Sequence, residues 1–163
     1  MEKRKGMVYM ENFQSIQVKR EFSLIFNSIP EEVFPLLCPV REKEWIPAWD
    51  FEWVFSRTGL IEECCLFKTK EYGEDTFWFV SEYDPSNFRI VFIQFAPDLL
   101  TARFSVHLGE AQDGKTKADV EYVFTSLSKT GKEYIEEELT QEKLKKDLEA
   151  MELLLNAFLG AGG

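Results

Sequence analysis

Six strand-like segments follow one another from Phe51 to Ser126 with only turn-length connections, and one amphipathic helix, Thr140 to Leu159, closes the chain. Strands joined by hairpin turns pair antiparallel. A long antiparallel sheet must bury one of its faces. The terminal stretch is the element of matching length: twenty helical residues span about 30 Å, and a ten-residue strand about 33 Å. The order predicts a curved sheet wrapped on a helix, with a pocket between them.

The faces of the strands follow from their period. In Thr101–Gly109, Ala102, Phe104, Val106 and Leu108 face one way and Arg103, Ser105 and His107 the other. Asp113-Gly114 is a hairpin signature. Beyond it Ala118, Val120, Tyr122 and Phe124 oppose Lys117, Asp119 and Glu121. Residues 51–57 place Phe51, Trp53 and Phe55 on one face, and Thr58-Gly59 turns the chain. Strands at 63–70 and 76–83 follow, and Asp84-Pro-Ser-Asn87 is a strong turn. The nearly continuous apolar run at 88–95 predicts burial on both faces. A seventh strand lies ahead of these, within 14–27, with Phe22, Leu24 and Phe26 on one face. Arg20 interrupts that face and predicts a bulge or an exposed strand end.

Two short helices separate this first strand from the rest. Ser28-Ile-Pro-Glu31 reads as a capping box that opens a helix carrying Val33, Leu36 and Leu37 inward until Pro39. A second helical stretch, 40–46, is closed by Pro47. Thr130-Gly-Lys-Glu133 opens a short acidic helix whose glutamates read as a solvated face, and Thr140 caps the long one. Leu144, Leu148, Met151, Leu155 and Phe158 form its apolar stripe, and Gly160 is its expected C′ residue. Residues 1–13 read as a loose leader and 14–160 as a single domain.

Charge and composition exclude several partners. The net charge of −10 opposes nucleic acid and anionic membranes. Lys3-Arg4-Lys5 is the only basic cluster, and no apolar signal-peptide core follows it. No 18-residue apolar run is present, so no membrane span is expected and the cytoplasm is the expected compartment. Cys38, Cys64 and Cys65 form no CxxC pair, and one histidine is too few for a common zinc site. All three read as reduced thiols, with Cys38 and Cys65 packed and Cys64 on the opposite face of a shared strand. Neither a phosphate loop nor a nucleotide fingerprint is present, so no cofactor and no metal are expected. A homodimer is left open.

The segment Pro39-Val-Arg-Glu-Lys-Glu-Trp-Ile-Pro-Ala-Trp49, then Gly59-Leu60, Cys65-Leu-Phe67 and Thr125-Ser-Leu-Ser-Lys-Thr-Gly131, together with the order of elements over residues 14–159, resembles the START and birch-pollen-allergen superfamily, also called SRPBCC. The resemblance is nearest to its bacterial polyketide cyclase and dehydrase-like subgroup. It implies an α+β helix-grip fold: a curved seven-stranded antiparallel sheet on a long C-terminal helix, with two short helices between strands 1 and 2. It also implies a pocket between sheet and helix. Members bind lipids, sterols, hormones or polyketides, and some catalyse cyclisation or hydrolysis. The superfamily shares no catalytic triad, so the fold supplies no mechanism.

The expected cavity lining is aromatic. Trp45 and Trp49 bracket Ile46-Pro47-Ala48 and anchor this loop on the sheet, as a hydrophobic plug or as an aromatic mouth. Trp53, Phe55, Phe67, Trp78, Phe104, Tyr122 and Phe124 come from the strands, to fill a core or to line a pocket. Tyr122 brings a polar tip to an apolar face, and Met151 and Leu155 would form the floor. Arg41 and Glu44, with Glu42, are the candidate polar cavity groups. One buried carboxylate among them would have a shifted pKa, and the competing reading is a solvated helix face with local ion pairs. His107 falls on the polar face, no GxSxG motif is present, and no catalytic residue is identified.

The leading reading is binding of a small apolar, aromatic or lipid-like molecule in this cavity. The alternatives are a cyclase-, dehydrase- or hydrolase-like enzyme acting on such a molecule, and an interaction module like the chaperone activators of this fold.

Overall fold

A computed structural model describes residues 13–162. The expected leader, with Lys3-Arg4-Lys5, lies outside the described residues except for Phe13. Strand β1 (Gln17–Phe26) is followed by α1 (Pro30–Val33), a 3-10 turn (Phe34–Leu37) and α2 (Pro39–Glu42). Six strands come next: β2 (Glu52–Phe55), β3 (Leu66–Thr69), β4 (Thr76–Asp84), β5 (Arg89–Ala96), β6 (Leu100–Glu110) and β7 (Thr116–Ser126). Helices α3 (Lys129–Glu138) and α4 (Gln141–Gly160) end the chain.

The seven strands form one sheet in the order β1-β7-β6-β5-β4-β3-β2, each pair antiparallel. Hairpins therefore place the strands from β2 to β7 side by side. The chain start returns to pair with β7, leaving β1 and β2 as the two edges. The alternation read from β6 and β7 holds for most positions: Ala102, Val106, Leu108, Ala118, Val120 and Phe124 are buried, while Arg103, His107, Lys117 and Asp119 are exposed; Ser105 on the outer face is buried instead, and Phe104, Tyr122 and Glu121 are half-buried. The outer face is less polar than the alternation suggests, because Phe79 and Phe95 are both exposed on it.

Two apolar clusters fill the concave side. One gathers Leu24, Phe26, Val33, Phe34, Leu36, Trp45, Phe67, Trp78, Phe92 and Leu155 under the short helices and the far half of α4. The other gathers Tyr72, Leu100, Phe124, Ile135, Leu139 and Leu144 under α3. Phe22 and Tyr122 pack against both.

Several local expectations are corrected. No bulge interrupts β1, which pairs with β7 in unbroken register; Arg20 instead donates from Nε to the Leu139 carbonyl at 3.2 Å, a group at the end of α3 that helix geometry leaves without a partner. Ser28 does not cap α1. Ile29 holds the N-cap position, and the Ser28 hydroxyl bonds the Glu32 carboxylate. The helix expected at 40–46 is regular only over Pro39–Glu42 and continues as turns. Ser128, two residues before the expected cap Thr130, caps α3 by accepting from Gly131 N at 3.0 Å. Helix α4 runs through Gly160, and the left-handed residue past its end is Gly162, φ 75°.

Strands β2 and β3 are shorter than their apolar patterns. Between them the Glu62 carboxylate gathers the Arg57 and Thr58 amides and the Ser56 hydroxyl. This local polar loop takes 56–63 out of the ladder, while Cys64 and Cys65 still exchange backbone hydrogen bonds with Val80 of β4. Cys64 consequently sits in a turn with φ 68°, not in a strand beside Cys65. Cys64 is exposed, and Cys38 and Cys65 are buried.

Candidate functional site

One aromatic ring from every strand joins a continuous run across the concave face. Trp53 on β2 meets Phe67 on β3 at 5.8 Å, and Phe67 stacks on Trp78 of β4 at 5.3 Å. Trp78 meets Phe92 of β5 edge-on at 5.4 Å. Phe92 stacks on Phe104 of β6 at 5.6 Å, and Phe104 on Tyr122 of β7 at 4.5 Å. Phe124 lies 5.1 Å beyond Tyr122, and Phe22 of β1 touches Tyr122 edge-on at 6.4 Å. Cross-strand neighbours lie close enough for rings to meet, so the run is a consequence of register: Phe67 is opposite Trp78, Phe92 opposite Phe104, and Phe104 opposite Tyr122.

The loop after α2 closes one end of this face. Trp45 is buried and donates from Nε1 to the Leu36 carbonyl at 3.0 Å. Trp49 donates to the Pro39 carbonyl at 2.8 Å and stacks on Phe51. Pro47 ends the helical turns between them, so each indole reaches back to a different carbonyl. Below the loop lies an open cleft of about 400 Å³. One wall is 48–52, with Trp49 and Phe51; the other is 68–71, with Asp75 beneath. Thr69 takes the Trp78 Nε1 hydrogen bond at 2.9 Å, which fixes the indole behind the cleft.

The expected lining residues divide by surface. Phe67, Phe124 and Leu155 are fully buried, and Trp45 and Trp78 nearly so. They fill the core. Trp49, Trp53, Phe104, Tyr122 and Met151 are half-buried and keep accessible surface. Phe55 is corrected outright: it is 59% exposed and outside both apolar clusters. The register between β2 and β3 slips between Trp53 and Phe55, and this irregularity breaks the period of two. Of the expected lining, Trp49 alone belongs to the 400 Å³ cleft.

Arg41 and Glu44 are corrected as cavity groups. They pair with each other on an outward-facing turn of α2, with side chains about 40% exposed. The less exposed carboxylate is their half-buried neighbour Glu42. Burial pushes its pKa up to about 8, and the charge of Glu71 adds to the shift. Glu71, at the end of β3 on the cleft wall, is raised by burial and then by Asp147 of α4. Tyr122 is held well above the ordinary phenol range, first by burial and then by Glu71 and Asp147. The Tyr72 phenol is fully enclosed too, but it donates to Gln94.

Neither the Glu42 carboxyl nor the Tyr122 hydroxyl finds a hydrogen-bond partner among the described residues, yet no side-chain polar atom there is both sealed from solvent and unpaired. Both residues are half-buried, so solvent reaches these groups. Among the described residues, no three His, Cys, Asp or Glu side chains are grouped to hold a metal ion. The reading of the sequence missed Glu71 and Asp147. Asp147 had a signal: it sits three residues after Leu144 and four before Met151, on the apolar stripe.

No helix among the described residues is long and apolar enough to cross a membrane. No family model and no curated protein matches this sequence. Solved structures do. An uncharacterised protein from Rhizobium leguminosarum superposes with a TM-score of 0.64 at 13% identity, over 88% of this chain and 97% of its own. The structure of Ara h 8.0201 gives 0.60 at 17%, over 91% and 99%. Norcoclaurine synthase from Thalictrum flavum, solved with dopamine and hydroxybenzaldehyde, gives 0.66 at 9%, over 91% and 90%. With one curved seven-stranded sheet, a long C-terminal helix and short helices between the first two strands, this chain has the helix-grip fold of the START and birch-pollen-allergen superfamily.

Proposed function

We propose that this protein binds a small apolar or aromatic molecule between the concave face of its sheet and α4, entering by the cleft under Trp49. The observation that carries the reading is the aromatic run itself. Its half-buried members, Trp53, Phe104 and Tyr122, keep free surface on the inner face, where a packed core would leave none. Apolar sites of this kind use a few polar groups to orient the ligand, and Glu42 and Tyr122 are two such groups without partners. That similar folds hold small aromatic molecules, as the Thalictrum enzyme does, supports the reading. The compartment proposed is the cytoplasm.

The neutral dye N-phenyl-1-naphthylamine tests it. Saturable fluorescence enhancement is expected with the native protein, and Met151→Trp should weaken it by filling the floor. A flat titration on protein with native circular dichroism overturns the reading. Native mass spectrometry of freshly purified protein addresses ligand identity.

A catalytic reading has one specific observation in its favour. A carboxyl with a pKa of about 8, as burial gives Glu42, still holds its proton at neutral pH and serves general acid or base chemistry. Turnover of a cyclisable or hydrolysable aromatic substrate, lost in Glu42→Gln with binding retained, distinguishes an enzyme from a carrier.

A further inference from the structure

Strand β5 is apolar on both faces, and a single chain covers only one of them. Ile90, Phe92 and Ala96 are buried on its concave side. Ile93 and Phe95 alternate with them and lie on the outer face. Register carries this outer apolar surface across four strands. Phe79 of β4 is opposite Ile93 on one side and Leu66 of β3 on the other, and Leu66 is opposite Phe55 of β2. Phe77 is opposite Phe95 one step along the strands. Directly opposite residues share a face, so these six side chains form one patch. Phe55, Phe79 and Phe95 are 59%, 40% and 45% exposed, and Leu66, Phe77 and Ile93 are half-buried. None of the six packs against either apolar cluster.

The other half of the same face is wet. On β6 the residues opposite Ile93 and Phe95 are Arg103 and Thr101. Beyond them Glu121 pairs with Arg103 at 3.5 Å and with Lys19 at 3.3 Å. One sheet face is thus split into a polar half with internal ion pairs and an apolar half without a cover.

Size and charge say what fits the apolar half. An aromatic side chain offers about 200 Å², so three rings exposed by 40–59%, with Val54 beside them at 51%, present roughly 400–500 Å² of apolar surface. A stable interface takes about 800 Å² from each partner, a little over half of it apolar. The patch supplies that apolar share unaided. Its charged margins are already neutralised, Lys68 by Glu52 at 3.7 Å and Arg103 by Glu121. Two chains of net charge −10 can therefore meet here without setting unpaired like charges face to face. A strongly charged partner finds no complement on this patch. A second copy brings a surface of the same size and the same apolar character, and a two-fold pair uses one patch twice.

We propose that the outer face of β2–β5 is the interface of a symmetric homodimer, with Phe79 and Phe95 of one copy packed against the same patch of the other. The interior and α4 lie on the opposite face of the sheet, so the inference stands apart from the binding function proposed above.

Sedimentation equilibrium of the full chain tests it. The native protein should form a dimer with a micromolar Kd. Raising sodium chloride to about 0.5 M should leave that Kd unchanged or lower it, because salt screens the repulsion between two acidic chains and not the apolar contact. Phe79→Glu/Phe95→Glu should raise the Kd at least about a hundredfold, because it buries four unpaired carboxylates in one interface. Both residues lie outside the core, so circular dichroism and the urea midpoint should stay native. The milder Phe95→Gln should raise the Kd about tenfold and keeps the face testable if the double variant does not fold. Leu153→Glu, on the exposed side of α4, should dimerise like the native chain. A native chain that is still monomeric at about 200 µM overturns the proposal and leaves the patch to another protein or to the chain's own residues 1–12. A dimer unaffected by the Phe79 and Phe95 substitutions, or one that Leu153→Glu dissolves, belongs to a different surface and overturns it as well.

Discussion

The Phe104 and Tyr122 rings lie 4.5 Å apart and within 6° of parallel, on adjacent strands whose register sets them directly opposite. The pair joins the β2–β5 part of the aromatic run to Phe124 and Phe22, where the two apolar clusters meet. Its tyrosine hydroxyl makes no hydrogen bond to the described residues, so its contribution to stability there is packing alone. Tyr122→Phe should change stability by less than about 0.5 kcal/mol, whereas Tyr122→Ala should cost about 3–5 kcal/mol, as aromatic deletions in well-packed cores do. Urea melts of both variants check this. A large loss in Tyr122→Phe would reveal a hidden partner for the hydroxyl.

Glu42 predicts the sign of a pH dependence. Its carboxyl titrates at about 8 in the folded chain and at the ordinary 4.5 when exposed. Between those values the folded state binds more protons, so stability falls as pH rises from about 4.5 to 8 and the loss is complete above 8. Glu42→Gln removes that slope. The variant should match the parent near pH 4 and exceed it by about 1–3 kcal/mol at pH 8.5. The full shift would give more, but open space beside the carboxyl lets water hydrate the ion. Urea midpoints at pH 4.5, 6.5 and 8.5 measure it, and equal midpoints for both proteins at pH 8.5 would show that Glu42 is not enclosed.

Gly131 reverses a helix rule. Glycine to alanine inside a helix ordinarily stabilises by about 1 kcal/mol. Here a Cβ would lie 1.7 Å from the Leu99 carbonyl oxygen, which accepts from Leu127 N at 2.9 Å. The backbone must move, and Gly131→Ala should cost about 1–3 kcal/mol as overpacking does. Thermal denaturation should show a lower Tm, and a higher one would mean that α3 does not press on the β5–β6 turn.

Two leucines two positions apart on α4 give a paired test of docking. Leu155 is fully buried and Leu153 is 71% exposed. Leu155→Ala should cost about 2–5 kcal/mol, and Leu153→Ala less than about 0.5 kcal/mol. Similar losses in chemical denaturation would place the helix in a different rotation.

The sheet and α4 were legible because periodicity is a local signal. Phe104, Val106, Val120 and Phe124 declare their face over four or five residues, and Leu144 to Phe158 do so at helical spacing. Phe55 was not legible, because the shift that turns it outward is a property of two strands together. Glu42 was half legible. Residues two apart on a helical turn do not share a face, so Glu42 and Glu44 were expected to differ in exposure, but which of them is the less exposed depends on how the completed fold covers the turn. Glu71 was invisible: the charges that act on it and on Glu42 lie 29 residues before it and 76 after it in the chain, and only the completed fold sets their influence.

Helix α4 is tied along a single rim. Glu152 accepts from Ile25 N, Asn156 bonds both Asn27 N and the Ile25 carbonyl, and Gln141 donates to the Glu21 carbonyl. These bonds occupy edge groups of β1 and its end that would otherwise invite another strand. Among the described residues, α4 makes no hydrogen bond to β2 or β3. The bonds that fasten α4 to the sheet are thus the same ones that cover the free backbone groups of the β1 edge, so docking of the helix and protection of that edge are one structural event.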